Sequence, residues 1–393
     1  MTTPHPALGA IRIWGSELSP FTLKLRALCD AAAVPYTMLP DEGTRLQNYR
    51  AIASIELAKR RRTALRYPAL SDLDEYPLVP LVLAEGRVLY DSSALARWLD
   101  ARQPALTGPF VPEDPALAFA AQLIDEAFDE FGLYLVHHAR WVTSAATNDA
   151  GARLAREMRR VLPPGAGAAF GRHFAARQVR RLPYLFSVAA ERHSNGLAPA
   201  LTPPTRAGFP PTHRLLTHAW EAYVDGVEAV LREQPFLLGE RFTLADASVY
   251  GQLGMNLKDP SAAERMQSRA PATFTWLMSI RDRRHIGREG PLRVSTLLRG
   301  LFDAIARTFL PLMAQNELAY TAARRAGETV FNEAAFDRRR ALYDGRLLGQ
   351  PFRAVVKTFQ VRVWRELSTA WAELEAADRI PLLRILPPDG PFS

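Results

Sequence analysis

Between residues 10 and 103 the spacing of apolar positions changes several times. "IRIW" is a short apolar run bounded by Gly15 and predicts a strand. "TLKLRALCDAAAV" then places Leu23, Leu25, Leu28 and Cys29 close to helical spacing. "YTML", ended by Pro40 and Asp41, predicts a second strand, and "VPLVLAEGRVLYD" two strands about a Glu85-Gly86 turn. "SSALARWLDARQP" predicts a helix capped by Ser92 or Ser93 and stopped before Pro104. The order β-α-β, a long connection, then β-β-α predicts a small mixed sheet with helices on its faces.

Beyond the proline-dense linker "PALTGPFVPEDP" the pattern turns helical. "ALAFAAQLIDEAFDEFGLYLVHHARWV", "THRLLTHAWEAYVDGVEAVLREQ" and "LADASVYGQLGMNL" each predict a helix, the last opened by a Thr243/Asp246 capping box. Asp125, Glu126, Asp129 and Glu130 read as a solvated acidic stripe paired with arginines. A Pro/Gly-rich segment at about 160–212 reads as a partly ordered insertion. Further amphipathic helices are expected from residue 292, and no further strands. In "FRAVVKTFQVRVWREL", Phe352, Val355, Val356, Phe359, Val363 and Leu367 fall on one helical face, with Arg353, Lys357 and Arg365 off it.

Composition narrows the class. The 393 residues are 48% hydrophobic and 23% charged, ordinary for a globular chain of several packed units. Cys29 is the only cysteine, which excludes an intramolecular disulfide and suits a reducing cytosol. No signal peptide and no spanning helix is expected from the apolar runs, so a cytoplasmic protein is expected. The net charge of +8 would suit a polyanion. Its tightest clusters, "KRRR" and "DRRR", lack interleaved aromatic residues, so neither nucleic acid nor membrane is an expected partner.

The chemistry lies in local features taken in order: "SELSPF" at a strand-to-helix turn, Val79-Pro80 at the start of a strand, "YDSSAL" at a helix start, and "FLLGERFTLADASVYGQL". This set resembles the glutathione transferase family. "SPFTLKLRALCDAAAVPY" looks like the first helix of its serine-type classes, tau above all, and is close to omega, which has cysteine at that point. "VPLVLAEGRVLYDSSALARWLD" is similar to the family's glutathione-binding half. The resemblance spans residues 10–103 and 213–285. It implies a thioredoxin-like α/β domain at 10–103 and a larger all-α domain at 113–291, with the insertion at about 160–212. An added helical extension at 292–393 would pack on the all-α domain.

The resemblance further implies glutathione as co-substrate. Ser19 would donate a hydrogen bond to the bound thiolate at a helix N-terminus, where free N–H groups also favour an anion. Val79, before Pro80, would pair its backbone with the cysteinyl part. Asp91 would receive the γ-glutamyl ammonium and Ser92 its carboxylate. The residues alone leave open that Ser19 is only an N-cap, that Ser16 is the activating hydroxyl, and that Asp91 and Ser92 are a routine cap. A basic group for the glycine carboxylate is expected in "KRRRTALRYP", with Arg60, Arg61, Arg62 and Arg66 all open. The long connection, the insertion and the tail depart from the family's pattern.

Tyr134, His137, His138 and Trp141 share a helical face that either lines the second-substrate pocket or serves ordinary interior or surface packing, and the residues leave both open. No metal site is expected, since adjacent histidines point apart on a helix and no third ligand is suitably spaced. The expected protein is a cytosolic transferase that activates glutathione for attack on a small hydrophobic electrophile, as a homodimer. The alternatives are a glutathione-dependent lyase or dehalogenase, a disulfide reductase, which would need a cysteine where Ser19 stands, and a non-catalytic interaction protein of the same fold.

Overall fold

The computed structural model describes residues 8–61, 73, 79–103, 107–190 and 196–392. The N-terminal unit runs β1 (Ile11–Trp14), α1 (Pro20–Ala31), β2 (Tyr36–Leu39), α2 (Arg45–Arg61), β3 (Leu81–Ala84), β4 (Arg87–Leu89) and α3 (Ser92–Arg102). Its strands lie in the order β2-β1-β3-β4, with β1 parallel to β2 and the other pairs antiparallel. Glu85 and Gly86 both take positive φ, 50° and 71°, which matches the right-handed twist of a tight hairpin. The Val79-Pro80 bond is cis.

The helices that follow are α4 (Pro115–Glu126), α5 (Leu133–His138), α6 (Ala150–Glu157), α7 (Gly167–Arg180), α8 (His213–Leu231), α9 (Leu244–Leu253), α10 (Pro260–Arg269) and α11 (Pro271–Arg281). The insertion contains α7, packed across α6 where Gly151 faces the Gly171 carbonyl so closely that a Cβ would lie 2.4 Å from its oxygen. In the capping box that opens α9, Thr243 N–H donates to Asp246 Oδ2 at 2.9 Å, and Leu237 N–H donates to Oδ1 at 2.8 Å. Burial pushes the Asp246 carboxyl up to about 6 against these donors. Among the described residues no helix is long and apolar enough to cross a membrane.

The tail runs α12 (Arg299–Arg307), α13 (Phe309–Arg325), α14 (Glu333–Asp337), β5 (Leu342–Leu347), β6 (Gln350–Val355), α15 (Thr358–Glu373) and α16 (Ala376–Leu383). α12 packs on α8, while α15 and α16 lie against α4. The expected absence of further strands is corrected here: β5 and β6 form a hairpin, and the single helix read from Phe352 to Leu367 breaks at Val356. Leu348 and Gly349 both take positive φ, 49° and 73°, so the turn between the strands is the tight type that favours pairing. The apolar positions still face inward, from a strand up to Val355 and from a helix after it.

The two parts of the chain are joined by a buried ion cluster. Lys24, fully buried on α1, donates to Asp125 Oδ1 at 2.5 Å, Asp129 Oδ2 at 2.6 Å and Ser93 Oγ at 2.8 Å. Ser248 of α9 donates to the same Asp125 oxygen. The acidic stripe is therefore not solvated: Asp125, Glu126 and Asp129 are all buried. Burial opposes the Lys24 charge, but Asp125 and Asp129 outweigh it and raise its pKa. A close approach makes the contact reachable, because a Cβ on Gly251 of α9 would lie 2.7 Å from the Pro20 carbonyl. Removing one partner of a buried pair costs about 3–5 kcal/mol. Lys24→Met is therefore expected to lower unfolding stability by about that amount in denaturant titration, and a loss under about 1 kcal/mol would contradict the interlock.

Candidate functional site

Strand register brings the candidate residues to one end of the sheet. Trp14 pairs with Leu81, and Val82 pairs with Leu89. The turn after β1, the Val79-Pro80 pair before β3 and Asp91 after β4 therefore emerge side by side.

Ser19 is the N-cap of α1, with φ −99° and ψ 123°, and its Oγ accepts from Thr22 N–H at 3.4 Å. Pro20 supplies the first helical position without needing a hydrogen-bond partner. Ser16 is buried in the same turn, its Oγ accepting from Leu18 N–H at 3.0 Å. Of the two hydroxyls, Ser19 is the one at the helix end. Asp91 caps α3 through Oδ1, which accepts from Ser93 N–H at 3.1 Å and Ala94 N–H at 3.0 Å. It does so at φ 78°, a conformation rare outside glycine and typical of functional turns.

Val79, Pro80, Asp91 and Ser92 line a cavity of about 160 Å³, closed on its other sides by Glu126 and Tyr134 of the α4–α5 run. Arg181, Tyr184, Lys357 and Arg362 complete it. Ser19 does not line it; its helix contributes Phe21. Arg362, on α15, donates to Asp91 Oδ2 at 3.2 Å and to Glu366 at 3.1 Å. The tail thus reaches the sheet's end as well as the helical unit. The Tyr134 hydroxyl accepts from Lys357 Nζ at 2.6 Å and from Gln360 Nε2 at 2.9 Å.

Of the residues expected on Tyr134's face, the structure brings only Tyr134 to this cavity. The helix makes π turns at Ala127–Gly132 and Ala139–Thr143, and the second shifts the phase of Trp141 relative to Tyr134. His137 meets Gln178 at 3.2 Å, and His138 packs its ring 5.0 Å from that of His213. Burial lowers both imidazoles to about 3, so they stay neutral. Trp141 packs on Phe174 and lines a separate apolar groove of about 740 Å³ between α6 and α7. Arg60 and Arg61 end α2, while Arg62 and Arg66 lie outside the described residues. Cys29 is fully buried with a raised thiol pKa, which removes it as a redox nucleophile.

Sequence reading missed Lys24, Glu126, Lys357 and Arg362. Charged positions inside apolar helical runs, such as Lys24 between Leu23 and Leu25, are the signal that marks them. Glu126 lies buried beside Asp125, Asp129, Asp91 and Glu130; burial first, then these charges, raise its pKa well above the ordinary 4.5. The folded chain therefore holds a proton there that the unfolded chain releases above pH 4.5, and stability falls as pH rises from that point. Glu126→Gln is expected to remove this component. Its stability relative to the parent should grow with pH above 4.5, by at most about 1.4 kcal/mol per pH unit, as urea titrations from pH 4 to 8 would measure.

No family model matches the chain, and no curated protein does. Solved structures do, at low identity. A glutathione S-transferase III in apo form is 14% identical over 72% of this chain and 100% of its own, with a TM-score of 0.34. A glutathione S-transferase from Pseudomonas fluorescens is 15% identical over 72% and 98%, at 0.31. A β-etherase from a Sphingobium strain is 13% identical over 75% and 98%, at 0.39. Identity at this level speaks to fold alone, so the assignment stands on topology: the β2-β1-β3-β4 sheet, its β-α-β and β-β-α halves, and the helices packed beyond α3. The chain has the glutathione transferase fold, a thioredoxin-like domain followed by an all-α domain.

Proposed function

We propose that this chain binds glutathione at the end of its sheet and activates the thiol for attack on a small electrophile. The observation that carries the reading is the convergence, set by strand register, of the Ser19 helix terminus, Val79 and Asp91. A thiolate at the α1 N-terminus would meet unpaired N–H groups and the Ser19 hydroxyl, which lower a thiol's pKa. Val79 offers backbone groups to an extended peptide, and Asp91 a carboxylate to an ammonium. The step is attack of the sulfur lone pair on the electrophilic carbon, with loss of a leaving group or protonation of the adduct. Conjugation, dehalogenation and ether cleavage share it. Disulfide reduction by the protein itself is disfavoured by the burial of Cys29. A cytosolic location and a homodimer belong to the same reading as expectations of the fold.

Removing one donor positioned on developing charge typically costs about 10²–10³ in rate. Ser19→Ala is therefore expected to slow turnover of a chromogenic aryl halide with glutathione by about 10–1000-fold, with little change in glutathione affinity. Unchanged turnover would exclude Ser19 from the step.

A second reading, a non-catalytic protein of this fold, is favoured by the Arg362–Asp91 contact. Arg362 stands where the γ-glutamyl ammonium would, and about 160 Å³ is below the usual 300 Å³ lower bound of ligand pockets. Glutathione must displace it. Arg362→Met is thus expected to bind glutathione about tenfold more tightly by calorimetry, equivalent to about 1.4 kcal/mol. If neither protein binds it at millimolar concentration, the non-catalytic reading replaces the catalytic one.

A further inference from the structure

We propose that the cavity beside Lys357 recognises a small planar carboxylate, of the size of a single-ring aromatic acid, with Lys357 as its counter-ion. That this acid is the second substrate rests on the glutathione reading; its recognition does not.

The buried cations of the described residues differ in one respect. Lys24 has Asp125 at 2.5 Å, Arg140 has Asp259 at 2.7 Å and Arg362 has Asp91 at 3.2 Å. Lys357 is only 9% exposed and has no carboxylate within 4.0 Å among the described residues. Its ammonium meets the Tyr134 hydroxyl at 2.6 Å and the rings of Tyr134 and Tyr184 at 4.5 and 4.8 Å. A phenol oxygen and two ring faces leave a buried charge undercompensated, and such charges are ordinarily paired. The missing partner is an anion.

The surroundings hold Lys357 in place for one. Its backbone is fixed at both polar atoms, N–H to Asn316 Oδ1 at 3.0 Å and C=O from Asn316 Nδ2 at 2.9 Å. It is the N-cap of α15, whose first turn receives no side-chain cap, so backbone N–H groups add positive potential at the same point. Arg181 and Arg362 line the same cavity, but each already has a carboxylate, Glu333 at 2.9 Å and Asp91 at 3.2 Å, which leaves Lys357 as the cation there to be met. Of the carboxyls that line the same cavity, Asp91 is paired with Arg362 and Asp129 with Lys24, and burial raises the pKa of Glu126 well above 4.5, towards its neutral form. Tyr134, Tyr184 and Phe359 give flat apolar walls. A cavity near 150 Å³ holds benzene in another protein, so about 160 Å³ fits one ring.

The test is calorimetry of the full chain with benzoate, with benzamide as its neutral isostere and with inorganic phosphate, alongside a glutathione titration. Benzoate is expected to bind at least tenfold more tightly than benzamide or phosphate. Lys357→Met should lose at least tenfold in benzoate affinity, and Lys357→Arg should retain most of it. Thermal melting checks that both variants fold, and benzoate should raise the midpoint of the parent and the arginine variant only. Equal binding of benzoate and benzamide, tighter binding of phosphate, undetectable benzoate binding, or unchanged affinity in Lys357→Met overturns the proposal. Glutathione binding without benzoate binding removes this proposal and leaves the glutathione site standing; Lys357-dependent benzoate binding without glutathione binding does the reverse.

Discussion

The arrangement of the whole molecule turns on one ammonium group. Lys24 has three N–H donors, and each is used by a different side chain: Asp125 and Asp129 from the α4 run, and Ser93 from α3. Removing that charge from water is costly, so the cluster is weak evidence of net stability. Its consequence is positional. α1 cannot rotate about its axis without stranding either the ammonium or two carboxylates. The helix that presents Ser19 at its end is thereby held against the helix run that presents Glu126 and Tyr134. Gly251, which lets α9 approach the α1 backbone, and Ser248, which shares Asp125, fix the same geometry from the third side.

The cluster carries an electrostatic imbalance. One lysine faces Asp125, Asp129 and the nearby Glu126, and the surplus negative charge is reduced by a proton on Glu126. The tail supplies further compensation at the outer edge, where Arg362 reaches Asp91. Helix α15 therefore completes a charge pattern as well as covering, with α16, apolar surface. Phe392, packed 5.5 Å from both Phe119 and Trp371, shows that the covering extends to the last described residue.

Much of the N-terminal domain, and the start of α9, was legible because each element announces itself locally. The short runs "IRIW" and "YTML", the Glu85-Gly86 turn and the Thr243/Asp246 box each need only neighbours in sequence to be recognised. Ser19, Val79 and Asp91 could be named for the same reason, while their convergence required strand register. What stayed hidden depends on distant partners. A run of Asp125, Glu126 and Asp129 looks solvated until a lysine a hundred positions away is placed in its midst. Lys357 looks like a polar position on a helix because the strand-to-helix break at Val356 interrupts a sequence whose apolar spacing suits a helix throughout. The π turn after His138 leaves no trace in residue type, so a face drawn straight on to Trp141 misses the phase shift there, while His137 and His138 are occupied by partners, Gln178 and His213, that are distant in sequence.

The Arg362 contact is best understood as an exchange between two cations for one carboxylate. Asp91 keeps its capping role through Oδ1 whichever cation occupies Oδ2, so the turn that positions it does not depend on the tail. Arg362 in turn has Glu366 one helical turn onward on its own helix, half exposed, and the Phe359 ring at 4.3 Å beneath its guanidinium. Leaving Asp91 would not strand it. An arriving ammonium would replace the charge that departs, and the net electrostatic change is small. Apparent affinity then scales with the fraction of molecules in which Arg362 has swung aside. On the glutathione reading, the tail would set that fraction through the packing of α15 on α4 and α13, and residues that never touch the ligand would govern its access.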